Sequence, residues 1–333
     1  MPQLDNDIIA GLCRHYGLGA VRACRQLGGT RNRNYVLDTS SGRWFVRQRY
    51  PGYCAPARIA FDDLALTYLA EHGAAVVPPR DTLSRGKHWR DGERVWQVFP
   101  FVTGRHLREG RPDDLGVLGI DLGRLHRAGE GFSLRYEKLG LRGETDPAVL
   151  LSQAEQIQAE DPQAAAALEP YGDWVARARR ELPDDAYAAL PHTLVHGDVQ
   201  PANVLVHRQR IAAFVDLDWC AWQPRVYDLA FALLFCCATH ETPIDGDDIW
   251  SLTQPPHVED EPARAFLDAY QQAAGPLTGE ERQALAAQVA LTWCHCRLAG
   301  ALKAPAQDRI AFLSRGPADM ASLTGESLGP FAL

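Results

Sequence analysis

The stretch Leu194 to Asn203, L-V-H-G-D-V-Q-P-A-N, followed by Val215 to Trp219, V-D-L-D-W, restricts this chain more than any other feature. Each motif is flanked by apolar runs, so its polar residues fall at strand ends and in tight loops. One carboxylate in such a place would pass as a solvated acidic loop. Asp198, Asn203, Asp216 and Asp218, set at these spacings between apolar strands, do not. Asn203–Val206 and Ile211–Val215 read as two short strands joined by a turn, which brings Asn203 and Asp216 to the same end of one hairpin. Asp198 precedes Asn203 by five positions and falls at the tip of the loop. Phosphoryl transfer asks a protein for alignment and charge neutralisation rather than covalent chemistry. Magnesium takes oxygen ligands and keeps several waters, so an amide oxygen and a carboxylate are a sufficient protein contribution. A carboxylate at 198 would orient an attacking hydroxyl or accept its proton.

The remainder of the 333 residues reads as two parts, since the chain is longer than one small core needs. Residues 5–16 carry Ile8, Ile9, Leu12 and Tyr16 at helical spacing behind a capping Asp5-Asn6. The period then changes to that of strands over Val21–Leu27, Asn34–Thr39 and Arg43–Tyr50, divided by the turns G-G-T-R-N-R and S-S-G-R. Pro56–His72 reads as a helix stopped by Gly73, with two further strands at Asp81–Leu83 and Val95–Val102. After Gly104 the pattern is helical: Asp113–Arg127, with Leu115, Leu118, Leu122 and Leu125 on one face, an alanine-rich stretch over 146–182, and stretches at 226–239, 261–274, 279–302 and 305–315. The expected fold class is therefore α+β. A strand-rich N-terminal lobe would span residues 1–103, with a hinge near 98–103, and a mostly helical C-terminal lobe would span 104–333. The acidic, loop-rich stretch Thr242–Pro262 either covers a site or connects two helices.

Charge and composition narrow the partners. A net charge of −8 opposes wrapping nucleic acid phosphates. The eight cysteines lack the paired spacing of a zinc site, which leaves free thiols, a reducing compartment and a cytoplasmic expectation. The first residues carry no basic n-region or long apolar core, and the run Leu229–Ala238 is too short to span a bilayer. Neither nucleic acid nor membrane is expected as a partner.

H-G-D-V-Q-P-A-N, V-D-L-D-W and R-V-Y-D-L-A together resemble the aminoglycoside phosphotransferase and choline kinase-like family; P-R-V-Y-D-L-A-F-A-L and the helical tail resemble its homoserine kinase type. The resemblance implies a protein-kinase-like, two-lobed fold that moves the γ-phosphate of ATP or GTP to a hydroxyl of a small molecule, with Mg²⁺. Carried onto this sequence, it implies Asp198 as catalytic base, Asn203 and Asp216 as magnesium ligands, and His196 as a loop-shaping residue. Asp228 would cap the catalytic loop from the following helix; an acid meeting the helix dipole is a compatible reading. Asp218 either reaches the metal through water or faces the acceptor.

On the nucleotide side, Arg47 in W-F-V-R-Q-R-Y is in register with the family's phosphate-binding cation, and its planar fork can bridge two oxygens. Arg49 faces the same side of the strand and reads as a surface residue. Asp62 and Asp63 stand where relatives often carry glutamate; being a methylene shorter, Asp62 is a doubtful partner for Arg47. The turn G-G-T-R-N-R-N-Y resembles the family's glycine–asparagine turn, with amides from Gly29 to Asn32 covering the phosphates, or else is an ordinary hairpin turn. In the inter-lobe stretch Q-V-F-P-F-V-T-G the base would meet the Phe99 carbonyl and the Phe101 amide, with donorless Pro100 between them. On the acceptor side the candidates are Trp219, Trp222, Arg225, Tyr227, Trp293 and His295, with Asp218. Trp219 and Trp222 would stack on a sugar or a flat ring; ordinary core packing is the rival reading for each.

The leading function is thus a small-molecule kinase, with an antibiotic or secondary-metabolite phosphotransferase favoured over a homoserine, choline or sugar kinase. A protein kinase is opposed by the lack of D-F-G and A-P-E motifs and by the short stretch from Asp218 to Asp228. A nucleotide-binding pseudokinase module is opposed by the intact Asp198, Asn203 and Asp216.

Overall fold

Asp5 opens the first element by accepting a hydrogen bond from the Asp7 amide at 2.8 Å, and helix α1 (Asn6–Tyr16) closes on Gly17 at φ +64°, a left-handed cap that glycine adopts without strain. The structure, a computed structural model, describes residues 4–28, 31–138, 140–242, 250–251, 254, 256–258 and 260–315. Strands β1 (Val21–Leu27), β2 (Arg33–Thr39), β3 (Gly42–Gln48), β4 (Trp89–Asp91) and β5 (Arg94–Pro100) form one antiparallel sheet in the order β1-β2-β3-β5-β4. The period of two divides its faces. Tyr35, Leu37, Trp44, Val46, Trp96 and Val98 pack with Leu12 and Tyr16 of α1. Phe45 and Arg47 of β3, opposite Phe99 and Gln97 of β5, line the other face.

Helix α2 (Pro56–Glu71) crosses that second face, and its Phe61, Ala65 and Leu69 belong to the large core of the helical part. The edge strand departs from expectation. Asp81–Leu83 is a turn, because Thr82 exchanges bonds with Gly86 (its amide to Gly86 O at 2.7 Å, the Gly86 amide to its Oγ1 at 3.0 Å), and Trp89–Asp91 pairs with β5 instead.

Beyond β6 (Arg105–His106) come α3 (Pro112–Gly129), α4 (Pro147–Glu160), α5 (Ala165–Glu181) and α6 (Asp184–Ala189). Two small ladders then build the catalytic region. β7 (His192–Val195) pairs antiparallel with β10 (Ala221–Pro224), and β8 (Val204–His207) with β9 (Arg210–Phe214), with β6 alongside β8. Helices α7 (Val226–Ala232), α8 (Asp260–Ala274), α9 (Gly279–Lys303) and α10 (Arg309–Ser314) complete the helical part. The expected helix over 226–239 gives way after Ala232 to a π-turn, Leu233–Cys237, which sets Cys236 Sγ 3.8 Å from the Val199 carbonyl beneath the catalytic loop. Of the sequence expectations, Gly29 and most of the stretch 242–262 lie outside the described residues.

Candidate active site

The two ladders bring the motif together. Val204 opposes Phe214 in the β8–β9 hairpin, and the Val215 amide donates to the Asn203 carbonyl at 2.9 Å, so Asn203 and Asp216 emerge side by side. Val195 opposes Ala221 in the β7–β10 pair, which lays the loop from His196 against Trp219. Gly197, at φ +87°, has no room for a side chain: a Cβ would stand 2.3 Å from the Trp219 carbonyl oxygen.

His196 and Asp228 fix that loop. The His196 Nε2–H donates to the Val215 carbonyl at 3.0 Å and Nδ1 accepts from the Asp198 amide at 3.2 Å, which defines the neutral tautomer. Burial lowers its pKa in the same sense. Asp228, fully buried, accepts from the amides of His196 (2.6 Å) and Gly197 (2.8 Å) and pairs with His126 Nε2 at 3.0 Å. His126 Nδ1 in turn meets Tyr270 Oη at 2.7 Å.

Asp198 Oδ2 accepts from Gln200 Nε2 and Asn203 Nδ2, both at 2.9 Å. The Asn203 amide also reaches the Asp198 carbonyl at 3.0 Å, so its nitrogen is committed to Asp198 and its oxygen turns the other way. Burial raises the Asp198 pKa to about 7 and the Asp216 charge adds to the rise, against the pull of Gln200 and Asn203. A carboxyl poised there suits a general base at neutral pH.

Asp216 is left-handed, at φ +62°. Its side chain is 43 % exposed, yet its Oδ1 is buried without a hydrogen-bond donor of good geometry, and Arg47 Nη2 is its ion-pair partner at 2.9 Å. An uncommitted amide oxygen beside such a carboxylate is a hard-oxygen donor set that fits Mg²⁺, with phosphates and waters completing the shell. Among the described residues no group of three His, Cys, Asp or Glu side chains is placed to hold a metal alone.

Arg47 is buried under the sheet, with its guanidinium carbon 5.6 Å from the Phe45 ring centroid and 5.9 Å from that of Phe99. Its other nitrogen, Nη1, lies 3.1 Å from Asp218 Oδ1. Arg49 is not a surface residue. It is buried, pairs with Asp62 at 2.6 Å, and also bonds Gln97 Oε1 and the Tyr53 carbonyl. Asp62 thus serves Arg49, and also Lys138 at 2.8 Å, rather than Arg47.

The backbone groups expected to meet the base, at Phe99 and Phe101, are engaged within the sheet. The Phe101 amide donates to the Arg43 carbonyl at 3.3 Å and is spent on the sheet, as is the register of Phe99 against Phe45. Strand alternation turns Val98 and Pro100 the other way, and the Val98 carbonyl accepts from the Arg80 amide at 2.7 Å.

The acceptor candidates separate. Trp219, Trp222 and Tyr227 line a cavity of about 230 Å³ together with Arg135, Leu141 and Glu144. The Arg135 guanidinium lies 3.4 Å from the Trp222 ring centroid. Arg225 is removed from the set: it grips Glu281 with two nitrogens, at 2.5 and 2.7 Å, and spends the rest on the carbonyls of Ala274 and Pro276. Trp293 is in the core. His295 Nδ1 faces Glu144 Oε2 at 3.7 Å. Burial, with Lys303 and Arg31 nearby, lowers His295 to about 4, and burial raises Glu144 against Arg31, Arg58 and Lys303.

Asp218 faces neither solvent nor the cavity. Its carboxylate takes the Asn32 side-chain amide and Arg47, and its carbonyl takes Arg58 Nη2 at 2.9 Å and Lys138 Nζ at 2.7 Å. Asn32 Oδ1 meanwhile accepts from the Tyr50 amide at 2.9 Å, so this residue acts through its side chain. Burial opposes the Asp218 charge, but Arg47, Arg49 and Asn32 outweigh it and hold its pKa down at about 2. Sequence reasoning missed Arg58, Lys138 and Glu144. None lies in a motif, and only the paired acids of α2 hinted that a second cation was needed.

A family model described as the phosphotransferase enzyme family matches residues 23–287. The chain is 27% identical over 282 residues to a homoserine kinase of Parvibaculum lavamentivorans, covering 84% of this chain and 80% of that one. It is 26% identical to a homoserine kinase of a Bradyrhizobium species, covering 90% and 87%. Among solved structures, an aminoglycoside phosphotransferase from Alicyclobacillus acidocaldarius superposes with a TM-score of 0.69 at 17% identity, covering 100% of this chain and 96% of that one. A microcompartment-associated aminopropanol kinase superposes with a TM-score of 0.62 at 19% identity, covering 99% of each. These likenesses establish the protein-kinase-like fold.

Proposed function

The chain belongs to the phosphotransferase enzyme family and phosphorylates a hydroxyl group of a small molecule, and from that premise we propose that its acceptor is a compact amino alcohol or hydroxy amino acid and its donor a nucleoside triphosphate with Mg²⁺. The observation that carries this reading is the Asp198 carboxyl, oriented by Gln200 and Asn203 beside the left-handed Asp216. In it, Asp198 takes the proton of the attacking hydroxyl. Asn203 and Asp216 hold the cation, which when bound neutralises charge on the phosphates. Arg47 meets phosphate oxygens with its planar fork. The base rests between Phe45 and the hinge, against the Pro100 carbonyl and the Val102 amide, the pair two residues apart that does not face β3. The lobes divide near Gly104.

The acceptor class is read from the cavity that Val195 and Trp219 place beside the catalytic loop; Asp198 itself is not in its lining. About 230 Å³ is below the roughly 300–1,000 Å³ of pockets that take drug-sized molecules, which favours a compact acceptor over a multi-ring antibiotic. Glu144 lines it; burial disfavours its charge, and an ammonium group on the acceptor would add a countercharge to those of Arg31, Arg58 and Lys303. The homoserine and aminopropanol kinases among the similar proteins act, by their names, on alcohols that carry an amine. The flat Trp222 face under Arg135 favours a second reading, in which a ring-bearing antibiotic or secondary metabolite stacks at the rim.

The test is transfer of labelled terminal phosphate from ATP and from GTP to a panel of homoserine, aminopropanol, choline, amino sugars and nucleoside antibiotics, read as a mass gain of one phosphate. Asp198→Ala should lower turnover by about 10²–10⁴-fold while nucleotide binding survives. Phosphorylation of amino sugars but no amino alcohol would favour the second reading. No transfer to any acceptor by wild type would return the pseudokinase alternative to the front.

A further inference from the structure

Four elements converge on one residue that the chemistry above leaves unused. Asn32 comes from the β1–β2 turn, Arg47 from β3, Arg58 from α2, and Lys138 from the segment between α3 and α4. All four donate to Asp218, two to its carboxylate and two to its carbonyl. Asp218 is 7 % exposed, and Arg58 and Lys138 are buried with it. Arg58 is further fixed by the Tyr53 ring, 3.9 Å from its guanidinium carbon, and Lys138 by Asp62 at 2.8 Å.

Two residues upstream, Asp216 holds φ +62°, a conformation sparsely populated by non-glycine residues and retained only where the surroundings over-determine it. Its flanks supply that constraint. On one side the Val215 amide and carbonyl are held by Asn203 and His196. On the other, Asp218 is held by the four donors.

We propose that Asp218 is a positioning residue: it locks the nucleotide-facing turn, β3 and α2 onto the loop of Asp216 and so presets the Asp216 carboxylate for a metal–nucleotide complex, without itself binding metal. The proposal rests on the kinase reading; each carboxylate oxygen of Asp218 already receives a donor, and the residue is buried. Its distinctive consequence is selective. Loss of the lock harms recognition of the metal-bound nucleotide more than recognition of the bare nucleotide, since the bare form does not use Asp216.

The experiment titrates AMP-PNP into wild type, Asp218→Asn, Asp218→Ala and Arg58→Gln, with Mg²⁺ and with EDTA, by calorimetry. Near-ultraviolet dichroism, read as the difference from a Trp219→Phe background because the chain has eight tryptophans, reports on Trp219, whose ring lies 5.3 Å from Arg58, and checks the loop. Arg58→Gln leaves the Asp218 carboxylate in place, which keeps the proposal testable where Asp218→Ala fails to fold. The expected result is a loss of about 10–100-fold in Mg²⁺–AMP-PNP affinity in every folded variant, with metal-free affinity changed less than about threefold and the Trp219 signal altered. Equal losses with and without metal would overturn the proposal. So would a drop in bound Mg²⁺ stoichiometry in Asp218→Asn with Arg58→Gln unaffected, which would make Asp218 a ligand. Failure of wild type to bind AMP-PNP under either condition would overturn the kinase reading itself, a separate outcome.

Discussion

At Gly197 a single hydrogen atom in place of a side chain decides whether the catalytic loop can lie where it does. Gly197→Ala forces a Cβ to within 2.3 Å of the Trp219 carbonyl at a backbone angle of φ +87°, so the variant should lose at least ~2 kcal/mol of stability, seen as a lower chemical-denaturation midpoint, and should lose activity even when folded. The H-G-D motif contains this position, and the motif spacings place Asn203 and Asp216 at one hairpin end, with Asp198 at the tip of the preceding loop. Other residues were not legible. Arg49 sits on the same strand face as Arg47, and sequence alternation says only that much. It does not say that α2 covers this face, nor that the shorter reach of Asp62 selects Arg49. Arg225, a candidate for the acceptor side in the sequence, turns instead to Glu281, which lies far along the chain on α9. Lys138 and Arg58 carry no local signature, since their meaning is fixed by what the fold brings to them.

Elements rather than residues set the angle at which β6 hands the chain to the helices. Asp114, in the first turn of α3, is 4 % exposed and collects Arg105 at 2.6 Å and Arg108 at 2.9 Å, with the Arg108 amide at 3.0 Å. Burial opposes its charge, but the two arginines and that amide prevail and depress its pKa well below the ordinary aspartate value. A depressed carboxyl stabilises the fold above its unfolded pKa and loses that contribution as pH falls through its folded pKa. Asp114→Asn should therefore cost roughly 2 kcal/mol at pH 7, and the gap to wild type should narrow steadily below about pH 4, measured by urea unfolding across pH. Helix α3 itself was legible from its leucines, but its tight crossing with α8 was not. Gly119 and Gly123 let the helices touch, a Cβ at 119 standing 2.4 Å from the Phe266 carbonyl. The edge of the sheet was misplaced for a related reason: Thr82 and Gly86 close a turn through side-chain bonding that no strand period reveals.

For the whole molecule, the central fact is that one buried network joins the sheet, α2 and the metal-facing loop. Saturation with a metal–nucleotide complex at 100 times its Kd should stabilise the fold by about 2.7 kcal/mol, a rise of a few degrees in Tm. Nucleotide with EDTA, or Mg²⁺ alone, should give much less. The reason lies in the position of Arg47, whose two terminal nitrogens touch Asp216 and Asp218. A bare triphosphate taking Arg47 Nη2 would leave Asp216 without its countercharge; a bare cation on Asp216 would displace Nη2 with no anion to receive it. When both arrive, the cation takes Asp216 while Arg47 turns Nη2 to the phosphates and keeps Nη1 on Asp218, so the site is expected to act as a coincidence detector for nucleotide and metal.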